Sequence, residues 1–287
     1  APEDTCSKKL EDLGAKFIAI SLEGKSTNPM QELRSLLAIF LIIRKLKPLF
    51  VYNHTIKMNL YAGFSCSLLS LQYSNNVSGL GTVFLHKGLI YLIAQKLYGI
   101  ANKRASKVFF QNSEDLELFL DLGLVSKIKT IILPGSGIDT EAYAFSPVPK
   151  TKPITFIMIA RLIADKGVRE YVNAARAVSI SGKEARFILI GPAGVSNTSA
   201  IGDDEVFSWN EEGVIEYVGS QDDVIPWIKQ AHVLVLPSYR EGMPRTVLEA
   251  ASIGRPAIVT DVPGCRQSVI NGVTGWYCKA RSAESLA

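Results

Sequence analysis

Metal-binding and disulfide signatures are scarce in this chain. Its four cysteines, Cys6, Cys66, Cys265 and Cys278, are scattered, with no C-x2-C pair. That spacing argues against a zinc site and a disulfide framework and reads as reduced cytosolic thiols. D-x-D is missing, since Asp203-Asp204 and Asp222-Asp223 lack its spacing, so no metal is expected. G-x-G-x-x-G, G-x4-G-K-[ST] and G-x-S-x-G are missing too, which removes support for dinucleotide redox, P-loop and esterase chemistry. The longest apolar run, residues 36–43, is far short of the ~20 residues a membrane-spanning helix needs. The opening Ala1-Pro2-Glu3-Asp4 has no basic region followed by an apolar one, so no signal peptide is read. A cytoplasmic protein, soluble or peripheral, is the expectation. The formal net charge of +4 is too small to argue for nucleic acid, and fits anionic small molecules or an anionic membrane surface.

What is present is a chain of 287 residues with 47% hydrophobic and 20% charged residues, enough for two α/β cores. Strand and helix patterns alternate. Strands are expected at residues 16–20, 49–52, 71–75, 107–111 and 129–133, and helices at 7–13, 29–45, 56–69, 84–105 and 114–122. Asn28 is placed to cap the second helix and Ser113 the fifth. The segment Phe145-Ser146-Pro147-Val148-Pro149-Lys150 reads as a linker. Beyond it, strands are expected at 154–159, 186–190, 214–217, 233–236 and 256–260, and helices at 167–180, 200–210, 224–230 and 244–252. The rhythm predicts an α/β chain of two doubly wound, Rossmann-like domains, 1–146 and 147–287, facing a cleft.

The most informative stretch is Ser238 to Ala251. An apolar strand stops at Pro237, a loop follows, and a helix opens near Pro244 and ends at Gly254. A helix N-terminus after a parallel strand offers free N–H groups and a positive dipole end, suited to a diphosphate. Glu241 and Glu249, eight residues apart, bracket that point, and carboxylates accept hydrogen bonds from sugar hydroxyls. Arg161 and Lys166 follow another strand and are placed to neutralise a diphosphate; a solvated pair with Asp165 is the alternative. Candidate edges for a nucleotide base are Gly191-Pro192 and Val218-Gly219-Ser220-Gln221; plain strand-to-helix turns are the alternative. His54 follows the strand 49–52 at a carboxyl end. His86 and His232 read as structural or surface residues. The long helix pairs apolar Leu89, Ile90, Leu92, Ile93, Leu97 and Ile100 with basic Lys87, Lys96, Lys103 and Arg104. Such a helix either lies on an anionic membrane or packs on a core with a solvated face.

On these residues the chain resembles the retaining glycosyltransferases of the GT-B fold, family 4. Glu241 to Glu249 matches that family's E-x7-E signature, within Glu-Gly-Met-Pro-Arg-Thr-Val-Leu-Glu-Ala. Residues 254–266 and 271–276 continue the likeness, and residues 75–84 resemble the branch that adds HexNAc sugars to lipid-linked glycans. The resemblance implies that Arg161 and Lys166 hold the donor diphosphate and that Glu241 contacts the donor sugar. It implies that Glu249 binds the ribose, that the backbone of Gly242, Met243 and Pro244 lies along the sugar, and that the N–H groups of Thr246 and Val247 face the diphosphate. Gly191 and Gln221 would stand near the base, and His54 near the transferred sugar and acceptor. The implied reaction is metal-free, retaining transfer from a UDP-sugar, with no cofactor, to a saccharide on a polyprenyl diphosphate. The implied location is the cytoplasm, with peripheral contact to the inner face of the plasma membrane. The resemblance also implies a first strand with a glycine-rich loop, and final helices, beyond the two ends of this chain. A UDP-HexNAc 2-epimerase of the same fold and a nucleotide-binding fragment without activity are the alternatives.

Overall fold

A computed structural model describes residues 5–20, 29–80, 84, 88–195, 197 and 199–287. Asn28, Gly81, Thr82, Val83, His86 and Lys87, singled out above, lie outside them. Contacts group the chain into two compact units. One holds Ala1–Val77, Lys87–Phe109 and Glu117–Ile131; the other holds Ser78–His86, Phe110–Leu116 and Ile132–Ala287.

The first part of the chain runs α1 (Thr5–Asp12), α2 (Pro29–Leu46), β1 (Val51–His54), α3 (Ile56–Leu68), β2 (Tyr73–Val77), α4 (Leu89–Lys103), β3 (Lys107–Phe110), α5 (Ser113–Asp121) and β4 (Thr130–Ile132). Its sheet has the order β1-β2-β3-β4. The strand expected at 16–20 is not formed: residues 15–20 are irregular chain and do not join the open edge of β1. β1 starts two residues later than its sequence pattern, so His54 is the strand's last residue and not the loop residue after it. The α5 cap is Asn112 and not Ser113: Asn112 Oδ1 accepts from the Asp115 N–H at 2.8 Å, the usual N3 contact. The long helix begins at Leu89, behind an extended Gly88. Among its described side chains Ala94, Tyr98, Ala101 and Asn102 are buried, whereas Leu89, Leu92, Ile93, Leu97 and Ile100 are exposed.

The second part runs β5 (Ile154–Ile159), α6 (Val168–Ile180), β6 (Ala185–Ile190), α7 (Asp203–Glu211), β7 (Glu216–Tyr217), α8 (Ile225–Gln230), β8 (Val233–Leu236), α9 (Arg245–Ile253), β9 (Ala257–Thr260), α10 (Cys265–Ser268), β10 (Gly275–Cys278) and α11 (Ala283–Leu286). The order β10-β9-β8-β5-β6-β7 is parallel in every pair. Period-two alternation splits its apolar residues between two faces. Ile157, Ile188, Leu234 and Leu236 pack with α9 residues Val247, Ala250 and Ile253. Met158, Leu189 and Val235 pack with α6 residues Val168, Tyr171 and Val172. Both faces are covered, which is why these strands read as unbroken apolar runs.

The chain first lays down β5, then β6 and β7 on one side of it, then β8, β9 and β10 on the other. The switch point therefore falls between β5 and β8, where ligands bind in doubly wound sheets. Arg255 anchors the chain entering this sheet. Its guanidinium is buried without a carboxylate and donates to the carbonyls of Ser146, Pro147, Ile228, Lys229 and Ile253.

Candidate active site at the switch point

The loops that leave β5 and β8 meet. Lys166, at the end of a short turn after β5, forms an ion pair with Glu241 from the loop after β8. The pair sits at the switch point, and the two side chains are 22% and 12% exposed, so its field is only partly screened. Asp165 is not the lysine's partner; its carboxylate takes the Ser199 hydroxyl at 3.3 Å. Tyr239 stitches the same loops. Its N–H donates to the Asp165 carbonyl at 2.9 Å, and its hydroxyl donates to Glu170 on α6 at 2.7 Å. The Arg281 guanidinium lies 4.5 Å from its ring centre, within cation–π range. Burial and the Glu170 contact push the Tyr239 hydroxyl up to about 12, so it stays protonated. Arg161 stands exposed at the carboxyl end of β5.

The segment Phe110–Leu116 belongs to this unit and shapes its central loop. Asp115 is fully buried and pairs with Arg240. Asn112 Nδ2 donates to the Gly242 carbonyl at 3.0 Å, so one residue caps α5 and grips the loop. Gly242 is needed here: a Cβ would lie 2.0 Å from the Ser78 carbonyl oxygen and 2.7 Å from Gln111 Oε1. Burial raises the Asp115 carboxyl, against the pull of Arg240. Arg266 adds pairs to Glu114 and Asp261.

Pro244 is the N-cap of α9, and no side chain caps it. The Val247 N–H turns back to the Pro244 carbonyl at 3.2 Å, which leaves Arg245 and Thr246 as the forward-pointing first-turn amides. Met243 packs against Gly135, whose Cβ position would meet its side chain at 2.6 Å. Glu249 lies one turn in, 9% exposed and 3.4 Å from Arg245, with the Tyr143 hydroxyl close enough to feel its charge. Burial first, then the Glu249 charge, raises that hydroxyl.

Gly191, after β6, has φ 144°, and a Cβ there would lie 1.7 Å from the Ala160 carbonyl oxygen; only glycine permits that approach. Its N–H donates to the Gly219 carbonyl at 3.0 Å, and its carbonyl accepts from the Tyr217 hydroxyl at 3.0 Å. Gln221 Nε2 donates to the Val218 carbonyl at 2.8 Å. The two candidate base edges are thus adjoining strand ends. Cys265, beneath Glu241, is buried and its thiol pushed up to about 12, while Cys278 reaches about 11. Neither is a thiolate at neutral pH.

In the first unit, exposed His54 closes β1 with its Nδ1 3.2 Å from Asn76 Nδ2 on β2. His232 is structural: its Nδ1 accepts from the Thr155 N–H at 3.0 Å, and its Nε2 faces the Thr151 carbonyl at 3.0 Å. The sequence reading missed Asn112, Asp115 and Arg240, which show no local pattern. It named Asn75 only within the 75–84 likeness, although asparagine inside a strand is itself a signal, because strands disfavour it.

Residues 153–287 match the family model of group 1 glycosyl transferases. Residues 2–112 match that of glycosyl transferase 4-like proteins. Among similar proteins is the N,N'-diacetylbacillosaminyl-diphospho-undecaprenol α-1,3-N-acetylgalactosaminyltransferase of Campylobacter jejuni, 26% identical over 100% of this chain and 78% of the relative. Another is the UDP-Gal:α-D-GlcNAc-diphosphoundecaprenol α-1,3-galactosyltransferase of Escherichia coli, 23% identical over 90% and 69%. The crystal structure of Anabaena HepE in complex with UDP-glucose superposes with a TM-score of 0.73 at 17% identity, over 91% of this chain and 72% of that one. That likeness shows the fold.

Proposed function

From a chain that belongs to the GT-B glycosyltransferases of family 4, joining a 4-like segment to a group 1 segment, we propose transfer of a HexNAc unit from a UDP-sugar to a saccharide on a polyprenyl diphosphate. The observation that carries the reading is the Lys166–Glu241 pair at the switch point, backed by the first turn of α9. A cation and a helix tip beside two carboxylates suit a diphosphate flanked by two hydroxyl-bearing rings. Lys166, Arg161 and the Thr246 end of α9 hold the diphosphate; the Val247 N–H, expected there from the sequence, is spent on the Pro244 carbonyl. Glu241 reads the sugar, with the backbone of Gly242, Met243 and Pro244 along it, and Glu249 reads the ribose. Gly191 and Gln221 border the base. The acceptor hydroxyl attacks from the face that UDP leaves, with retention, and the β-phosphate takes the proton. The protein supplies positioning and charge, without a metal ion or cofactor in the step.

The acceptor chemistry follows the names of the Campylobacter and Escherichia relatives. A lipid-linked acceptor calls for a membrane face. No helix among the described residues is long and apolar enough to cross a membrane. The exposed stripe of α4, Leu89, Leu92, Ile93 and Ile100 beside exposed Lys96 and Lys103, fits peripheral docking on an anionic cytoplasmic surface. The linker at Pro147 is the proposed join between an acceptor-side domain, 1–146, and a donor-side domain, 147–287.

Thermal shift with UDP-Glc, UDP-Gal, UDP-GlcNAc and UDP-GalNAc tests the donor, since a ligand of the native state raises the melting temperature. UDP-GalNAc or UDP-GlcNAc is expected to give the largest shift, followed by acceptor-dependent UDP release. Epimerised donor without acceptor points instead to a 2-epimerase, and binding without release to an inactive fragment. For the membrane face, Leu92→Glu with Ile93→Glu is expected to abolish sedimentation with phosphatidylglycerol vesicles; unchanged sedimentation removes α4 from that role.

A further inference from the structure

Lys166 and Glu241 hold each other from fixed ground. The Lys166 turn is laid on the end of β8: Gly167 has φ 74°, and a Cβ there would lie 2.1 Å from the Pro237 carbonyl oxygen. The Tyr239 N–H ties the loop after β8 to the Asp165 carbonyl at 2.9 Å. Glu241 is gripped on both sides. Its own N–H donates to the Pro263 carbonyl at 3.2 Å. Asn112 Nδ2 holds the next carbonyl, that of Gly242, at 3.0 Å, and Asp115 holds Arg240 before it. A Cβ on Gly264 would lie 2.3 Å from the Glu241 carbonyl oxygen. Neither backbone has room to retreat, so what the two side chains can change is their partners.

Among the described residues, Arg240 is taken by Asp115, Arg245 by Glu249, and Arg266 by Glu114 and Asp261. The Cys265 thiol beneath Glu241 is un-ionised at neutral pH. At 12% exposure, a carboxylate that loses its cation is left largely out of water, a costly state. Hydroxyl donors offset that cost, because an ionised carboxylate only accepts. A diphosphate can draw Lys166 away, but it brings acceptors and nothing for Glu241.

We infer that Glu241 competes with the donor's diphosphate for Lys166, which makes the site favour a sugar nucleotide over the bare nucleoside diphosphate. The inference rests on the transferase reading above, in which Lys166 and Arg161 meet phosphate and Glu241 meets the sugar. A sugar nucleotide supplies phosphate to the lysine and hydroxyls to the glutamate. UDP supplies only the first and leaves Glu241 stranded. The consequence falls at the end of turnover. Once the sugar has moved to the acceptor, Glu241 reclaims Lys166 and loosens the hold on UDP.

Calorimetric titration with UDP and with UDP-GalNAc tests this. Glu241→Gln keeps an oxygen that accepts from a hydroxyl but has no charge to hold an ammonium. It is expected to bind UDP about tenfold more tightly than the parent, the scale of one charge-assisted hydrogen bond. It should bind UDP-GalNAc no more tightly, so the preference for the sugar nucleotide shrinks. Unchanged or weaker binding of UDP overturns the inference.

General repulsion between Glu241 and phosphate would also tighten UDP, and Lys166→Gln separates the two causes. With the lysine gone there is nothing to compete for, so adding Glu241→Gln to Lys166→Gln is expected to gain less than about twofold. A gain as large as in the parent background overturns the competition. Should Lys166→Gln not fold, Asp165→Asn takes its place, because it removes a carboxylate from the same turn without freeing Lys166. A gain there equal to that of Glu241→Gln marks repulsion and overturns the inference. Failure of parent and variants alike to bind either nucleotide removes the transferase reading and the inference with it, whereas binding without the gain removes the inference alone.

Discussion

The carboxyl ends of β1 and β2 and those of β5 and β8 are the same structural device, parallel strands delivering side chains to one edge, yet they are furnished in opposite ways. At β5 and β8 the contacts are between full charges, Lys166 with Glu241 and Arg240 with Asp115. At β1 and β2 they are between neutral amides, Asn53 through Asn75 to Asn102, with His54 against Asn76. A charged edge is strong toward a charged ligand and costly to leave half-paired. An amide edge has little field, and its value is direction: each group has a fixed donor and acceptor end. Opposite charge suits a diphosphate, and oriented neutral partners suit hydroxyls.

Breaking the charged side should do the most damage. Asp115→Ala leaves the Arg240 cation, 17% exposed, without its partner and is expected to cost about 3–5 kcal/mol in denaturant unfolding. Adding Arg240→Met should recover much of that, since the charge and its partner then disappear together. No recovery would mean the pair is not what holds the loop.

Lys166→Ala is next. In a chain competent for transfer it should lower turnover about a hundredfold or more, because removing a preorganised charge contact costs about 2.7–4 kcal/mol of barrier. Turnover within about threefold of the parent would take Lys166 out of the proposed diphosphate contact.

Disturbing the amide side should be milder. Asn75→Leu strands the Asn53 donor and the Asn102 acceptor, and about 1–3 kcal/mol of stability is expected to go. A loss above that of Asp115→Ala would invert the comparison. Smallest is a surface pair away from both edges. Arg169 lowers the Glu205 carboxyl through paired hydrogen bonds. A lowered folded value means stability that is present above the ordinary glutamate range and lost as pH falls through the folded value. With the side chains 47% and 37% exposed, Glu205→Gln should flatten the acid limb of stability by only about 0.2–1 kcal/mol.

Much of this was legible in the chain. β5 and β8 were read to the residue, because a strand buried on both faces is an unbroken apolar run bounded by turns. Glu241, Glu249 and Lys166 were chosen from spacing beside such strand ends. The expected strand at 16–20 failed, because pairing is supplied by a neighbour and not by composition. β10 was not anticipated: Gly275-Trp276-Tyr277-Cys278 opens on a glycine and lacks the aliphatic run that marks β8. The exposed face of α4 was undecided, because an amphipathic pattern says which residues share a face and not what covers it.

The sequence by itself determined the layered α/β plan, the two cores and the loops that carry charge, since local periodicity and turn residues encode those. Only the tertiary structure decided that Lys166 meets Glu241 and not Asp165, that Asn112 grips Gly242, and that Asn76 faces His54. Those contacts join residues 75, 130 and 22 positions apart, and strand order and register, set by the packing of the whole sheet, are what bring such distant positions to one place.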